Sequence, residues 1–382
     1  MRIGLVTERI GRALGGAERW TYDFARWLTA RGHEVHVVCR ADRRCELPPG
    51  AIGHGVDCGR SQLAFGAAAA ARLEELHCDV THDMGSGWSC DVFHPHCGSR
   101  TAAILRNTER RPAAWRPLSR AIQPLLPRYR KFAALCDRQY SGASRTYVAV
   151  SQMVADDFET HHGVASRQIR VIHNGVDTDR FSPALHQPLR RQVRENLGFA
   201  ERDIVLLLVA HNPRLKGFDT LIDGAAELRR RGAAIKVLVV GSNRAARETL
   251  LCRRSGISAH FTGVVADPRP YYAAADVYVH PTFYDPCSLV VLEAWASGLP
   301  VITTRFNGCA ELMREDLKEF IMPEPSDALD LARRIEPLLD LKQRRHIGER
   351  VRTIAEAHSA DACFVRFLDV YGEVRAGQRA AA

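Results

Sequence analysis

The chain has 382 residues, too many for one ordinary hydrophobic core and comfortable for two domains. No apolar run reaches the ~18–20 residues of a membrane span, and Met1-Arg2-Ile3-Gly4-Leu5-Val6 reads as a first strand and not a signal peptide, so the cytoplasm is expected. The net charge of +9 suits nucleic acid, a membrane surface or an anionic substrate, while eleven scattered cysteines without a C-x-x-C pair argue against a disulfide framework or a zinc ribbon.

The apolar pattern predicts two similar α/β halves. Ile3–Val6 is a strand, followed by a loop with Gly11, Gly15 and Gly16. Trp20, Phe24, Trp27 and Leu28 then fall on one helix face, and Gly32 ends that helix. Val35–Cys39 is the next strand, and strand–helix–strand order implies a parallel sheet. The second half opens with the wholly apolar strand Ile204–Ala210. A helix follows, with Phe218, Leu221, Ile222, Ala225 and Leu228 on one side; strands are expected at Ile235–Val240, Val277–Val279 and Val301–Thr303, and a helix at Leu289–Ala296, closed by Gly298. The final helical pattern carries Phe364, Phe367, Leu368 and Tyr371. The turn-rich stretch Asn174-Gly175-Val176-Asp177, with Pro183 and Pro188 beyond it, places the domain boundary, so the expected units are 1–182, 183–358 and a terminal helix, 359–382, packing back on the first.

Residues 100–131 break the alternation. They carry Arg100, Arg106, Arg110, Arg111, Arg116, Arg120, Arg128, Arg130 and Lys131 against Glu109, with Trp115, Leu118, Ile122, Leu125 and Leu126 interleaved. Two readings stand: a solvated basic excursion, or an interfacial segment in which Arg106, Arg110, Arg111 and Arg116 meet anionic headgroups or an anionic acceptor. No RNA-binding motif accompanies the charge, so no nucleic-acid partner is expected.

Three segments could carry chemistry. Gly15-Gly16-Ala17-Glu18 joins the first strand to the first helix, where glycines let backbone approach a ligand and the helix start offers N–H groups to a phosphate. Asn212-Pro213-Arg214-Leu215-Lys216-Gly217 follows a strand, at the edge where open α/β sheets bind ligands, and its cations can neutralise a diphosphate. The strongest is the run from His280 to Ala294: strand, loop with Asp285, a helix start near Ser288, and Glu293 on the second turn. Asp285 and Glu293 would lie about 12 Å apart if the segment were helical throughout, the span from a hexose to a ribose across a diphosphate. A carboxylate has two acceptor oxygens for neighbouring sugar hydroxyls. Glu293 lies among Val290, Val291, Leu292 and Ala294, so it is expected to be partly buried and to need a partner.

With these residues goes a resemblance. Gly15-Gly16-Ala17-Glu18, His173 through Phe181, Lys216-Gly217, Gly241, Phe261-Thr262-Gly263, Ala275-Asp276-Val277 and His280 through Val301 stand in the order of the retaining, GT-B-fold glycosyltransferases of family 4, also called group 1. Within that family the layout is similar to glucosyltransferases of the lipopolysaccharide core, which also have a basic, membrane-associating insertion in the N-terminal domain. The resemblance implies an α/β GT-B fold, two Rossmann-like doubly wound domains facing a central cleft. It also implies transfer of a hexose from a nucleotide diphosphate sugar, expected to be a UDP-sugar, to a glycan or glycolipid acceptor. Lipopolysaccharide or cell-envelope synthesis is the expected setting, at the inner face of the cytoplasmic membrane if the basic segment binds lipid.

The resemblance also distributes roles. Glu293 matches the acid that holds the ribose, and Asp285 stands where the family usually has a glutamate contacting the donor sugar. Lys216 matches the phosphate-binding lysine; the arginine common five positions before it is His211 here, and Arg214 is a candidate substitute. Gly15 and Gly16 fall at the donor phosphate, Val264 at the base, and Cys287, Ser288, Leu289 and Val290 offer backbone N–H groups. A histidine beside the reacting centre is His94 or His96, with His96 preferred. The expected catalytic set is thus His96, Asp285 and Lys216, with no metal and no cofactor beyond the nucleotide-sugar substrate. A nucleotide-sugar epimerase and a non-catalytic nucleotide-sugar-binding protein are the alternatives on the same fold.

Overall fold

A computed structural model gives the fold and describes residues 1–43, 45–111, 113–142, 144–243 and 246–381. The chain forms two compact units, one of Met1–His173 with the chain's end from Cys363, the other of Asn174–Ala362.

Unit 1 holds a seven-stranded sheet: β1 (Arg2–Val6), β2 (Glu34–Arg40), β3 (Ala51–Val56), β4 (Val80–Asp83), β5 (Val92–Phe93), β6 (Thr146–Ala149) and β7 (Ile169–Val171), in the order β3-β2-β1-β4-β5-β6-β7. Every pairing is parallel. The helix Gly16–Ala30 buries Trp20, Tyr22, Phe24, Ala25 and Leu28, the face that its periodicity marks, and Gly32 just beyond it has φ +78°, the left-handed geometry that ends helices. Against this helix lies the helix Ala360–Ala381: Phe364 and Phe367 meet Trp20 and Phe24 at ring-centroid distances of 5.2–5.4 Å, and Tyr371 Oη lies 2.6 Å from His82 Nδ1.

Unit 2 holds a six-stranded parallel sheet: β8 (Ile204–Val209), β9 (Ile235–Val240), β10 (Ala259–Phe261), β11 (Val277–His280), β12 (Val301–Thr304) and β13 (Ile321–Met322), in the order β10-β9-β8-β11-β12-β13. β8 reads Ile-Val-Leu-Leu-Leu-Val because helices cover both faces, and Val205 to Leu208 are wholly buried. Strand order reverses between β8 and β11, so the connections leaving them diverge and open a crevice at their carboxyl ends.

The boundary differs from the expected 182/183. Residues after His173 already belong to unit 2: Asn174 Nδ2 donates to Cys287 O at 2.8 Å, and Arg352 Nη1 donates to Thr178 O and Phe181 O at 3.1 and 2.7 Å. The return crossing falls after Ala362 rather than at 358, since Val176 N donates to His358 O and Ala360 N to Val176 O. Pro183 marked a turn, but the polar run before it docks through its own backbone.

Candidate functional site

Lys216 and Asp285 come from the two connections that diverge at the β8/β11 switch. Leaving β8, the turn Asn212–Lys216 ends at Gly217, the residue before the helix Phe218–Arg230. Gly217 has φ +79°, and a Cβ there would lie 2.2 Å from Pro281 O. Only glycine permits both the left-handed backbone and that approach. Thr282 Oγ1 donates to Leu215 O at 3.3 Å, and Phe283 N reaches the same oxygen at 3.5 Å. The turn carrying Lys216 is thereby zipped to the loop carrying Asp285.

Asp285 is held on both sides. Its N–H donates to Phe306 O and its carbonyl accepts from Gly308 N, both at 2.9 Å. Lys216 Nζ and His280 Nε2 both meet Oδ2, at 2.5 and 2.9 Å. Burial alone would raise this carboxyl, but the Lys216 ammonium and the His280 N–H outweigh it and hold Asp285 well below the usual carboxylate range. It is a carboxylate at any physiological pH.

Glu293 lies on the second turn of the helix Leu289–Ala296, half-buried, with Oε2 accepting from Tyr272 Oη at 2.8 Å. Burial first, then the neighbouring Glu293 carboxylate, raises the Tyr272 phenol far above its ordinary value, so it remains a donor. The helical spacing assumed between the two acids applies only from Leu289 onward, because Asp285 to Ser288 form a loop. Ser288 occupies the N-cap position without capping: its Oγ is buried and bonds nothing among the described residues, whereas its N–H points to Asn307 Oδ1 at 3.4 Å. The first-turn N–H groups, those of Leu289 and Val290 included, are therefore not consumed by a side-chain cap, and both residues are half-buried where Cys287 and Ser288 are buried. Asn307 braces this start, accepting from Cys309 N at 3.1 Å and donating to Thr303 Oγ1 at 3.0 Å.

The other expected donor-side residues lie in the same unit. Arg214 Nε donates to Glu248 Oε1 at 3.1 Å, so its guanidinium is engaged by a buried carboxylate and is not joined to the Lys216–Asp285 pair. His211 Nδ1 contacts Gly241 O at 3.2 Å, and Val264 is exposed, next to Gly263 at φ +70°.

Gly15, Gly16 and His96 belong to unit 1, at the carboxyl edge of its sheet. Gly15 is the N-cap of the first helix and Gly16 its first residue, with Glu18 in the first turn paired to Arg9 at 2.6 Å. His94 and His96 follow β5 and pack against Trp20 of that helix, at centroid distances of 5.1 and 4.5 Å. Burial pushes His96 down to about 3 and His94 well below its usual value, so both imidazoles are neutral near pH 7. Both ring nitrogens of His94 and Nε2 of His96 are buried without a hydrogen-bond partner among the described residues. The basic excursion forms the helices Arg100–Thr108, Arg116–Ile122 and Pro127–Gln139. Arg106 pairs with Glu109 at 3.4 Å, Arg111 donates to Ser119 Oγ at 2.6 Å, and Arg116 to Arg111 O at 3.0 Å. Arg110 is exposed, and Trp115 and Leu125 expose 60% and 74% of their surface.

Sequence reasoning missed Tyr272, Tyr278, His280 and Asn307. His280 reads in the sequence only as the opening of the strand–loop–helix run; a histidine five residues before an acid across a proline turn was the available signal. Tyr272 and Asn307 come from other elements, and Tyr278 reads only as an interior residue of the expected strand Val277–Val279; none of the three gave a signal.

Replacing Gly217 by Ala should lower stability by roughly 1–3 kcal/mol. The loss should exceed that of Gly232→Ala, since Gly232 has φ +95° but no heavy atom within 4 Å of its would-be Cβ. Urea unfolding of the two variants measures this; equal losses would mean that the approach to Pro281 contributes nothing.

The chain matches known families along most of its length. The description "Glycosyltransferase Family 4" matches residues 14–180 and "Glycosyl transferases group 1" residues 202–341. D-inositol 3-phosphate glycosyltransferase of Streptomyces bingchenggensis is 27% identical, over 96% of this chain and 86% of the relative; that of Corynebacterium jeikeium is 29% identical, over 94% and 92%. Among solved structures, WaaG, a glycosyltransferase involved in lipopolysaccharide biosynthesis, superposes with a TM-score of 0.79 at 21% identity, covering 97% of this chain and 99% of that one. Anabaena HepE in complex with UDP-glucose gives 0.72 at 18% identity, covering 98% and 100%. The paired parallel sheets, the D-x7-E segment at the β8/β11 switch and these matches place the chain among the GT-B glycosyltransferases of family 4, group 1.

Proposed function

We propose that the chain transfers a hexose from a UDP-sugar, with retention of anomeric configuration, to a glycan or glycolipid acceptor of the cell envelope at the inner face of the cytoplasmic membrane. The observation that carries the donor half is the meeting of Lys216, Asp285, the uncapped start of the helix Leu289–Ala296 and Glu293 at one strand switch of unit 2. Glu293, oriented by Tyr272, takes the ribose hydroxyls. The helix start and Lys216 take the diphosphate, and Asp285 meets the sugar. Charge developing on the leaving nucleoside diphosphate is met by the Lys216 ammonium and the helix N–H groups, which supply electrostatic stabilisation with no metal required. Asp285 is assigned to holding the donor sugar rather than to covalent attack, and a same-face displacement is the mechanism proposed. In unit 1, burial keeps the His96 imidazole neutral, and its buried Nε2 has no hydrogen-bond partner among the described residues, which suits a polar ligand atom. HepE's UDP-glucose and WaaG's part in lipopolysaccharide biosynthesis support a UDP-hexose and an envelope role.

The acceptor belongs to unit 1. An anionic acceptor or headgroup suits Arg106, Arg110, Arg111 and Arg116, and the phosphorylated cyclitol named for the Streptomyces relative is anionic too. Exposed Trp115, Leu118, Ile122 and Leu125 beside those arginines suit the headgroup boundary of a bilayer. No described helix is long and apolar enough to cross a membrane.

Incubation with a panel of nucleotide-sugars should release nucleoside diphosphate, fastest from a UDP-hexose. Glu293→Ala should cut donor kcat/KM by roughly 100-fold through the lost charged hydrogen bonds. Unaltered donor turnover in that variant, or epimerised donor as the sole product, would contradict the assignment. The chain should co-sediment with anionic vesicles. Replacing Arg110, Arg111 and Arg116 by Gln should weaken that binding about a hundredfold, at ~1 kcal/mol per arginine. No sedimentation, or sedimentation indifferent to the triple change, would rule out the interfacial role.

A further inference from the structure

His280 stands behind Asp285 and has no surface of its own: it is fully buried at the end of β11. Its backbone is fixed by Thr303 Oγ1, which donates to His280 O at 3.1 Å. One ring nitrogen, Nε2, lies 2.9 Å from Asp285 Oδ2, and the other, Nδ1, lies 3.2 Å from Tyr278 Oη. The chemistry of the partners sets the proton. Asp285 is ionised and accepts only, so Nε2 carries the hydrogen. Nδ1 is then a lone pair, and the Tyr278 hydroxyl donates to it. Burial, the largest effect, keeps the imidazole below its ordinary pKa, which agrees with a neutral ring, and burial likewise holds the Tyr278 phenol protonated.

Both bonds to the Asp285 carboxylate fall on Oδ2. Oδ1 accepts no hydrogen bond from a described residue, and the side chain keeps 12% of its surface. One oxygen is therefore anchored and the other offered. The two anchors differ in kind. Lys216 ends a flexible stem and carries the charge that a diphosphate attracts. His280 is a rigid ring inside the sheet that no ligand can reach.

We propose that His280, in the Nε2–H tautomer that the Asp285 carboxylate sets and the Tyr278 hydroxyl supports, is the positioning residue of Asp285: it holds Oδ2 so that Oδ1 faces the donor sugar, and goes on holding it when a diphosphate draws Lys216 away. The proposal rests on the donor reading above, and it accounts for the aspartate in place of the family's longer acid. The Asp285 carboxylate is set by the reach of the imidazole behind it. Other titratable groups near this cluster are Tyr272, Cys287, Cys309 and Glu293; the Tyr272 hydroxyl is bonded to Glu293, the Cys309 thiol is pushed well up by burial and is neutral, and none of these stands in the place of the imidazole N–H at Asp285 Oδ2.

The test compares His280→Phe, His280→Gln and Tyr278→Phe in the full chain, each with a UDP-sugar that the wild type turns over. Phe keeps the ring and removes the N–H; Gln restores an N–H near Nε2. His280→Phe should lower kcat roughly 10- to 100-fold with donor KM little changed, because the nucleotide is held elsewhere. The acid limb of its kcat profile should move to higher pH, since Asp285 loses a donor that holds its pKa down. His280→Gln should recover most of kcat and return the limb. In the wild type, long-range nitrogen–proton NMR should show the Nε2–H tautomer of His280, and Tyr278→Phe should shift its Nδ1 signal. A wild-type Nδ1–H tautomer overturns the proposal even if the Phe variant fails to fold. So does a folded His280→Phe chain with kcat and acid limb unmoved. A wild type that turns over no nucleotide-sugar instead removes the donor reading, leaving the tautomer result to judge the positioning role alone.

Discussion

The approach of Gly217 to the Pro281 carbonyl governs how the loops after β8 and β11 are joined. β8 and β11 are neighbours in the sheet, but their connections leave in opposite senses, and nothing in strand pairing obliges those connections to meet again. They meet because one of them has no side chain at the crossing. From that contact follow the bonds onto Leu215 O, the register of the two loops, and the 2.5 Å pair of Lys216 with Asp285. A cation and an anion from separate loops are thus held within one hydrogen bond of each other.

That pair has a physical logic of its own. A buried carboxylate needs partners, and Asp285 has a charged one and a neutral one on the same oxygen. The charged partner is also the group suited to phosphate, so a donor would compete for it; the neutral partner is sealed in the sheet. The neighbouring helix keeps its first-turn N–H groups because Ser288 stands at the cap position with its hydroxyl turned elsewhere. The site therefore gathers two sources of positive potential, a lysine and a helix start, between two acids that suit hydroxyls.

Much of this was legible in the sequence. The apolar strand Ile204–Ala210, the 3.6-residue face from Phe218 to Leu228, and the strand–loop–helix run from His280 to Ala296 are local patterns, and local patterns survive translation into structure. The short strands β5, β10 and β13 have too few residues to show a period. Tyr272 and Asn307 reach the site from elements that carry no motif, and their roles depend on side-chain direction. The boundary was misplaced because proline marks a turn while docking is decided by backbone groups such as those of Thr178 and Phe181. Arg214 gave no sign in the sequence of its partner Glu248, 34 residues on, which accepts from its Nε.

The central claim is that Glu293, the helix start and Lys216 grip one nucleoside diphosphate. A crystal structure of the full chain with UDP or a UDP-sugar tests it most directly. The account predicts the ribose hydroxyls on Glu293 with Tyr272 still bonded behind it, the diphosphate at the N–H groups of Leu289 and Val290, and Lys216 Nζ moved from Asp285 onto a phosphate oxygen. A nucleotide bound elsewhere, with the Lys216–Asp285 pair undisturbed and Glu293 touching only Tyr272, would contradict it.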